Sequence, residues 1–263
     1  MGLDARVRCR CWEDGLCTPP PDPDHVRLDL ILDDLILDLA WEQHQAAFEA
    51  FDTWRLTCCS HEDMIQSIEH ISNWSGVTAF ERSLHCLGDA HFPELLAALP
   101  ERNGGLVWPA KAALCLQELE RYQLAGEHGS RALLVDGELN EPVAWQRFAD
   151  GGEFTRLASS GHGLILTDDG WFEIRRNDAG TVFRRRDFRL EDVGDGYFVY
   201  RDTDGGQDYR LRYAFYSGAR QGYAPHVRAI LVPDSPDNYR YIVGQLQTVF
   251  AASVETGRPV VWS

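Results

Sequence analysis

The stretch Leu3-Asp4-Ala5-Arg6-Val7-Arg8-Cys9-Arg10-Cys11 decides how the fold is read. Leu3, Ala5, Val7, Cys9 and Cys11 fall on one side of it; Asp4, Arg6, Arg8 and Arg10 fall on the other. A period of two is the signature of a half-buried strand. The chain therefore opens on a strand, and Cys9 and Cys11 point to the same face. Asp14-Gly15 marks a turn, and Pro19 to Pro23 is a stiff extended connector. Val26 to Leu39 reads as two short strands with Asp33-Asp34 at the turn between them.

Further along, the period becomes helical. Glu42 to Leu56 carries Ala46, Ala47, Phe48, Phe51 and Trp54 at mostly helical spacing. Ser60 reads as an N-cap with Asp63 three residues on. It is expected to open a helix from His61 with Met64, Ile65, Ile68 and Ile71 on one face. Trp74 to Leu87 and the short Phe92 to Leu99 are further candidates. Pro109 opens another helix at its first turn, which Gly126 ends. After Gly129 the period returns to two. Ala132 to Val135, Leu164 to Thr167, Trp171 to Arg175, Val182 to Leu190, Tyr197 to Tyr200, Tyr209 to Phe215 and Val227 to Val232 read as strands. Turns such as Asp168-Asp169-Gly170 separate them. Asn238 to Thr256 is helical again, and Pro259 to Trp262 is a last strand.

The expected class is α+β: N-terminal strands with four to five helices, then a mostly antiparallel β-sheet closed by a C-terminal helix. A soft boundary near residues 126 to 130 separates an acidic strand-and-helix part, 1–128, from a sheet part with its C-terminal helix, 129–263, unless both form one compact unit.

The 263 residues are 44% hydrophobic and 25% charged, the composition of a globular chain with a real core. The formal net charge is -16. Residues 1 to 150 hold 26 of the 41 acids but only 11 of the 25 basic residues. From Asp22 to Glu42 there are seven acids and one arginine. Such acidity argues against nucleic acid and anionic membrane surfaces as partners. Asp29, Asp33, Asp34, Asp38 and Glu42 are instead candidates for contact with a basic protein. No signal peptide is expected, because Arg6, Arg8 and Arg10 have no apolar run behind them. Seven cysteines in a chain of this size read as reduced thiols in a cytoplasm.

Two thiols at Cys9 and Cys11, with a thiol and an imidazole at Cys59-Ser60-His61, make a four-ligand set of the kind zinc accepts. Cys58 is an alternative to Cys59, and Cys17 is a fifth thiol in reach. The competing reading is that these cysteines are small buried hydrophobes. His85 and His91 are six apart and do not share a helix face. Arg184 and Arg186 share one face of a strand, read as solvated. Asp202-Thr203-Asp204-Gly205 reads as a hairpin turn, since the spacing of a calcium loop fails. Most tryptophans, Trp145 among them, are expected in the core. Local signatures of nucleotide binding, of a serine nucleophile elbow and of a zinc protease helix are missing.

Met1-Gly2-Leu3-Asp4, Cys9-x-Cys11, Gly15, Pro19-Pro20-Pro21, Cys59-x-His61 and the segment Ile71 to Gly76 resemble a group of bacterial proteins without an established activity. The resemblance covers roughly the first 125 residues and implies no catalytic residue. It does imply that Cys9, Cys11, Cys59 and His61 belong together. The function expected is a non-enzymatic, acidic binding protein of the immunity or antitoxin type that occludes a basic toxin domain. The alternatives are a cysteine- or metal-dependent hydrolase or transferase, and a zinc-stabilised structural protein.

Overall fold

A computed structural model describes residues 2–30, 32–144, 153–157, 162–203 and 205–263. Trp145 and Asp204 lie outside the described residues. In chain order the strands and helices are β1 (Gly2–Arg8), β2 (Val26–Asp29), β3 (Asp34–Leu37), α1 (Gln45–Thr57), β4 (Ile65–Asn73), α2 (Trp74–Leu87), α3 (Pro93–Leu96), β5 (Leu106–Val107) and α4 (Pro109–Gln123). Then follow β6 (Ser130–Asp136), β7 (Val143–Ala144), β8 (Glu153–Leu157), β9 (His162–Leu166), β10 (Phe172–Arg176), β11 (Gly180–Arg185), β12 (Asp187–Asp192), β13 (Phe198–Asp202) and β14 (Tyr209–Leu211). The chain ends with β15 (Tyr216–Ser217), β16 (Gly222–Tyr223), β17 (His226–Pro233), α5 (Arg240–Thr256) and β18 (Val260–Trp262). The class is α+β, and every strand pairing among the described residues is antiparallel.

Two compact units divide the chain. One comprises Met1–Asn73, Phe80–Gly126 and Pro236–Ser263; the other comprises Trp74–Ala79 and Glu127–Ser235. The chain passes from the first unit to the second after Gly126. Residues 236–263, however, group with the N-terminal part rather than with the sheet that precedes them. The reason is pairing: β18 lies against β1, with Ala5 opposite Trp262 and Val7 opposite Val260.

The first unit is built on a sheet of order β4-β1-β18-β5. Helix α5 packs on α4, β4 and β1. It contributes buried Ile242, Val243, Leu246, Val249 and Phe250, and Gly257 ends it in the left-handed region, its N–H bonded to the Ser253 carbonyl. Leu3, Ala5 and Val7 are fully buried, as the alternation requires. Arg8, placed by that alternation on the solvent side, is buried as well. The pairing of β1 with β4 shifts register between Val7 and Arg8, and Glu13, Asp33 and Arg258 surround the guanidinium with charge.

The helix expected from His61 is not formed. Asp63 and Met64 both adopt left-handed φ values, which breaks a helix at its start. Ile65 to Asn73 is instead strand β4, paired along the whole of β1. β-branched isoleucines at 65, 68 and 71 suit a pleated surface better than a helix, and an opening strand needs a partner for its backbone groups.

The second unit contains a sheet of order β14-β13-β12-β17-β6, another of order β11-β10-β9-β8 and a small one of order β16-β15-β7. The strand expected from Val182 to Leu190 is two strands, β11 and β12, divided at Arg186. Phe172 sits in an aromatic cluster, stacked on Phe188 and Tyr200 and edge-on to Phe183 and Phe215. Asp202 closes a hairpin turn by accepting the Gly206 N–H at 2.8 Å.

Candidate metal centre

Three local structures bring the four sequence-predicted ligands together. Cys9 follows the end of β1, and its N–H donates to the Met64 carbonyl at 2.8 Å. Cys11 sits in the turn that follows, where its carbonyl accepts the Leu16 N–H at 2.8 Å. Cys59 and His61 lie in the bend between α1 and β4. The left-handed Asp63 and Met64 turn the chain just after them.

The Sγ atoms of Cys9, Cys11 and Cys59 and a ring nitrogen of His61 all lie within 4.8 Å of one another. Cys11 Sγ is 3.3 Å from His61 Nδ1, Cys59 Sγ is 3.9 Å from the same nitrogen, and Cys9 Sγ is 3.9 Å from Cys59 Sγ. Around one tetrahedral ion with metal–sulfur bonds of 2.3 Å and a metal–nitrogen bond of 2.0–2.1 Å, the edges would be about 3.8 Å between sulfurs and about 3.6 Å from sulfur to nitrogen. These three spacings match those edges within a few tenths of an ångström, and the other three lie within 4.8 Å. All seven cysteines are free thiols, and the four residues could hold a metal ion.

The three thiols differ in their electrostatics. Burial pushes the Cys9 thiol up to about 12, and burial raises Cys11 too. At Cys59 burial also works against the thiolate. The His61 backbone N–H and the thiols of Cys11, Cys9 and Cys58 outweigh it by hydrogen bonding, so this thiol is held below its ordinary range. Around the cluster lies an apolar shell of Leu35, Leu37, Phe51, Trp54 and Met64, with Trp12 packed edge-on against Trp54. Such a shell keeps water out and lowers the local dielectric. Simple core cysteines would need no imidazole among them.

The acidic candidates have different fates. Asp33 is buried in the tight turn between β2 and β3, with Arg258 at 3.4 Å and Arg8 at 3.9 Å. Burial pushes its carboxyl above the ordinary range, against the pull of both guanidiniums. Asp34 is shared between Arg6 at 3.3 Å and Arg55 at 3.2 Å. Asp38 is exposed and pairs with Arg27, Glu42 is exposed, and Asp29 is half-buried. The charged set of Arg8, Glu13, Asp33 and Arg258, in which Arg8 and Asp33 are buried, had no signal in the sequence, because Asp33 and Arg258 lie 225 residues apart. His85 pairs with Asp89 at the surface. Arg184 and Arg186 both lie over the Trp171 ring, at 4.8 and 4.6 Å from its centre.

No protein-family model, curated protein or solved structure matches this chain.

Proposed function

We propose that Cys9, Cys11, Cys59 and His61 form a structural zinc site that clamps the base of the segment between them, and that this segment is a protein-binding element. The observation that carries the reading is the convergence of four buried or half-buried donors from two ends of a long excursion, all within 4.8 Å of one another and three of their spacings close to tetrahedral edges. Four protein ligands complete the coordination of zinc and keep no position for a substrate or reactive water, which favours a structural over a catalytic role. Free thiols in that number suit a reducing cytoplasm.

Between the two halves of the clamp lie the β2–β3 hairpin and α1. The hairpin and the turn after it expose Leu30, Leu32, Ile36 and Trp41, alongside the carboxylates of Asp38 and Glu42. Exposed apolar side chains rimmed by charge of one sign are the make-up of a binding surface for a partner of the opposite sign. The partner this favours is a basic protein, such as a toxin domain neutralised by occlusion. Affinity capture from the native host at low salt tests it. A stoichiometric basic protein that is released by salt supports the reading, and capture of no partner in stoichiometric amount contradicts it.

A further inference from the structure

A second group of thiols adjoins the first. Cys17, Cys58 and Cys59 offer three sulfurs that also lie within 4.8 Å of one another, and the Cys58 and Cys17 sulfurs are 3.5 Å apart. The chain is built to hold Cys17 there. Gly15 takes a left-handed φ of 69° and turns the chain back after Cys11. On one side of Cys17, the Leu16 N–H is tied to the Cys11 carbonyl. On the other, the Thr18 N–H donates to the Cys58 carbonyl at 3.0 Å, and the Trp54 indole donates to the Thr18 carbonyl at 2.7 Å. Cys58 directly follows α1, its N–H bonded to the Trp54 carbonyl.

We propose that Cys17, Cys58 and Cys59 form a second thiolate position, with Cys59 bridging to the first, so that the pocket takes two thiophilic d10 cations. The proposal rests on the zinc reading of the first site, since Cys59 serves both. Three thiolates around an ion at about 2.3 Å stand about 4.0 Å apart when trigonal and about 3.8 Å apart when a fourth ligand completes a tetrahedron. The 3.5 Å between Cys17 and Cys58 is within about half an ångström of either spacing, and the other two sulfur pairs lie within 4.8 Å. Thiol donors alone select soft ions such as Zn2+, Cd2+ or Cu+ over calcium, magnesium or manganese. Protonated, these groups make only weak S–H hydrogen bonds inside an apolar shell. A bound cation deprotonates them outright and replaces those contacts with metal–sulfur bonds.

The test is native mass spectrometry of the reduced full chain, stripped with a chelator and titrated with Zn2+ and then Cd2+. A moderate competing chelator removes surface ions. Two ions per chain are expected in the natural protein, and one in Cys17→Ser and in Cys58→Ser. Cys17 is half-exposed, so Cys17→Ser remains informative if Cys58→Ser fails to fold, with far-UV circular dichroism as the check. One ion in the natural protein and in Cys17→Ser overturns the second position and leaves the first standing. Two ions in both overturn this assignment of ligands. None in either overturns both sites.

Discussion

Cys11 Sγ lies 3.3 Å from His61 Nδ1, although fifty residues separate the two in the chain. A contact of that span stabilises only if something repays the ordering of the excursion it closes. The pairing of β1 with β4 and the apolar cluster around the thiols close the same excursion, and a metal ion bonded to both residues would add to them.

Removing the proposed zinc should loosen the first unit. With free zinc about 1,000-fold above its Kd, linkage contributes about 4 kcal/mol, or on the order of 10 °C in Tm for a chain of this size. Calorimetry with and without a strong chelator should show a loss of that order, reversed by added zinc. Cys11→Ser should melt at the chelated temperature with or without zinc.

Charge reversal separates the acids that hold the fold from those exposed at the surface. Asp33→Lys sets a third cation against Arg8 and Arg258, and breaking such a buried pair costs about 3–5 kcal/mol. Its effect is expected in thermal unfolding. Asp38→Lys and Glu42→Lys should leave Tm within a degree or so and act on association, weakening capture of a basic partner and flattening its salt dependence.

The second unit should respond to acid through Asp136. Its fully buried carboxylate accepts hydrogen bonds from Arg220 and from the backbone N–H groups of Glu138 and Leu139, and the arginine holds it below the ordinary carboxylate range. A carboxyl depressed in the folded state contributes stability that is present above its unfolded pKa, about 4. That contribution is lost as pH falls through the lower folded value. Asp136→Asn should lower Tm at pH 7, and its difference from the natural protein should shrink as the pH falls below about 4, as followed by melting across pH.

Glu118 looks catalytic by type and burial, yet its carboxylate accepts the backbone N–H groups of Glu94 and Leu95, at 3.2 and 2.7 Å, at the start of α3. It acts as a cap lent by α4. Glu118→Ala should cost about 1–2 kcal/mol, with Glu118→Gln costing less because one acceptor remains. Urea unfolding of both variants measures the difference.

Much of this architecture is legible from periodicity. The alternation through Cys11 placed β1 and put both cysteines on one face, while Pro109 and Gly257 mark the ends of α4 and α5 where they fall. The segment after Ser60 misled because isoleucines at 65, 68 and 71 fall at helical spacing, whereas in the strand Ile68 is 60% exposed and Ile71 is buried. Only the left-handed Asp63 and Met64, and the demand of β1 for a partner, decide between helix and strand. The candidate ligands could be named from their residue types. The role of Asp33 could not, because charge density along a chain says nothing of arginines folded against it from far away.

The most direct test of the account is zinc X-ray absorption on the Cys17→Ser protein, which keeps all four ligands of the first site. The account predicts bound zinc with three sulfurs at about 2.3 Å and one nitrogen at about 2.0 Å. A protein that takes up no zinc, or a shell of oxygen and nitrogen only, would contradict it.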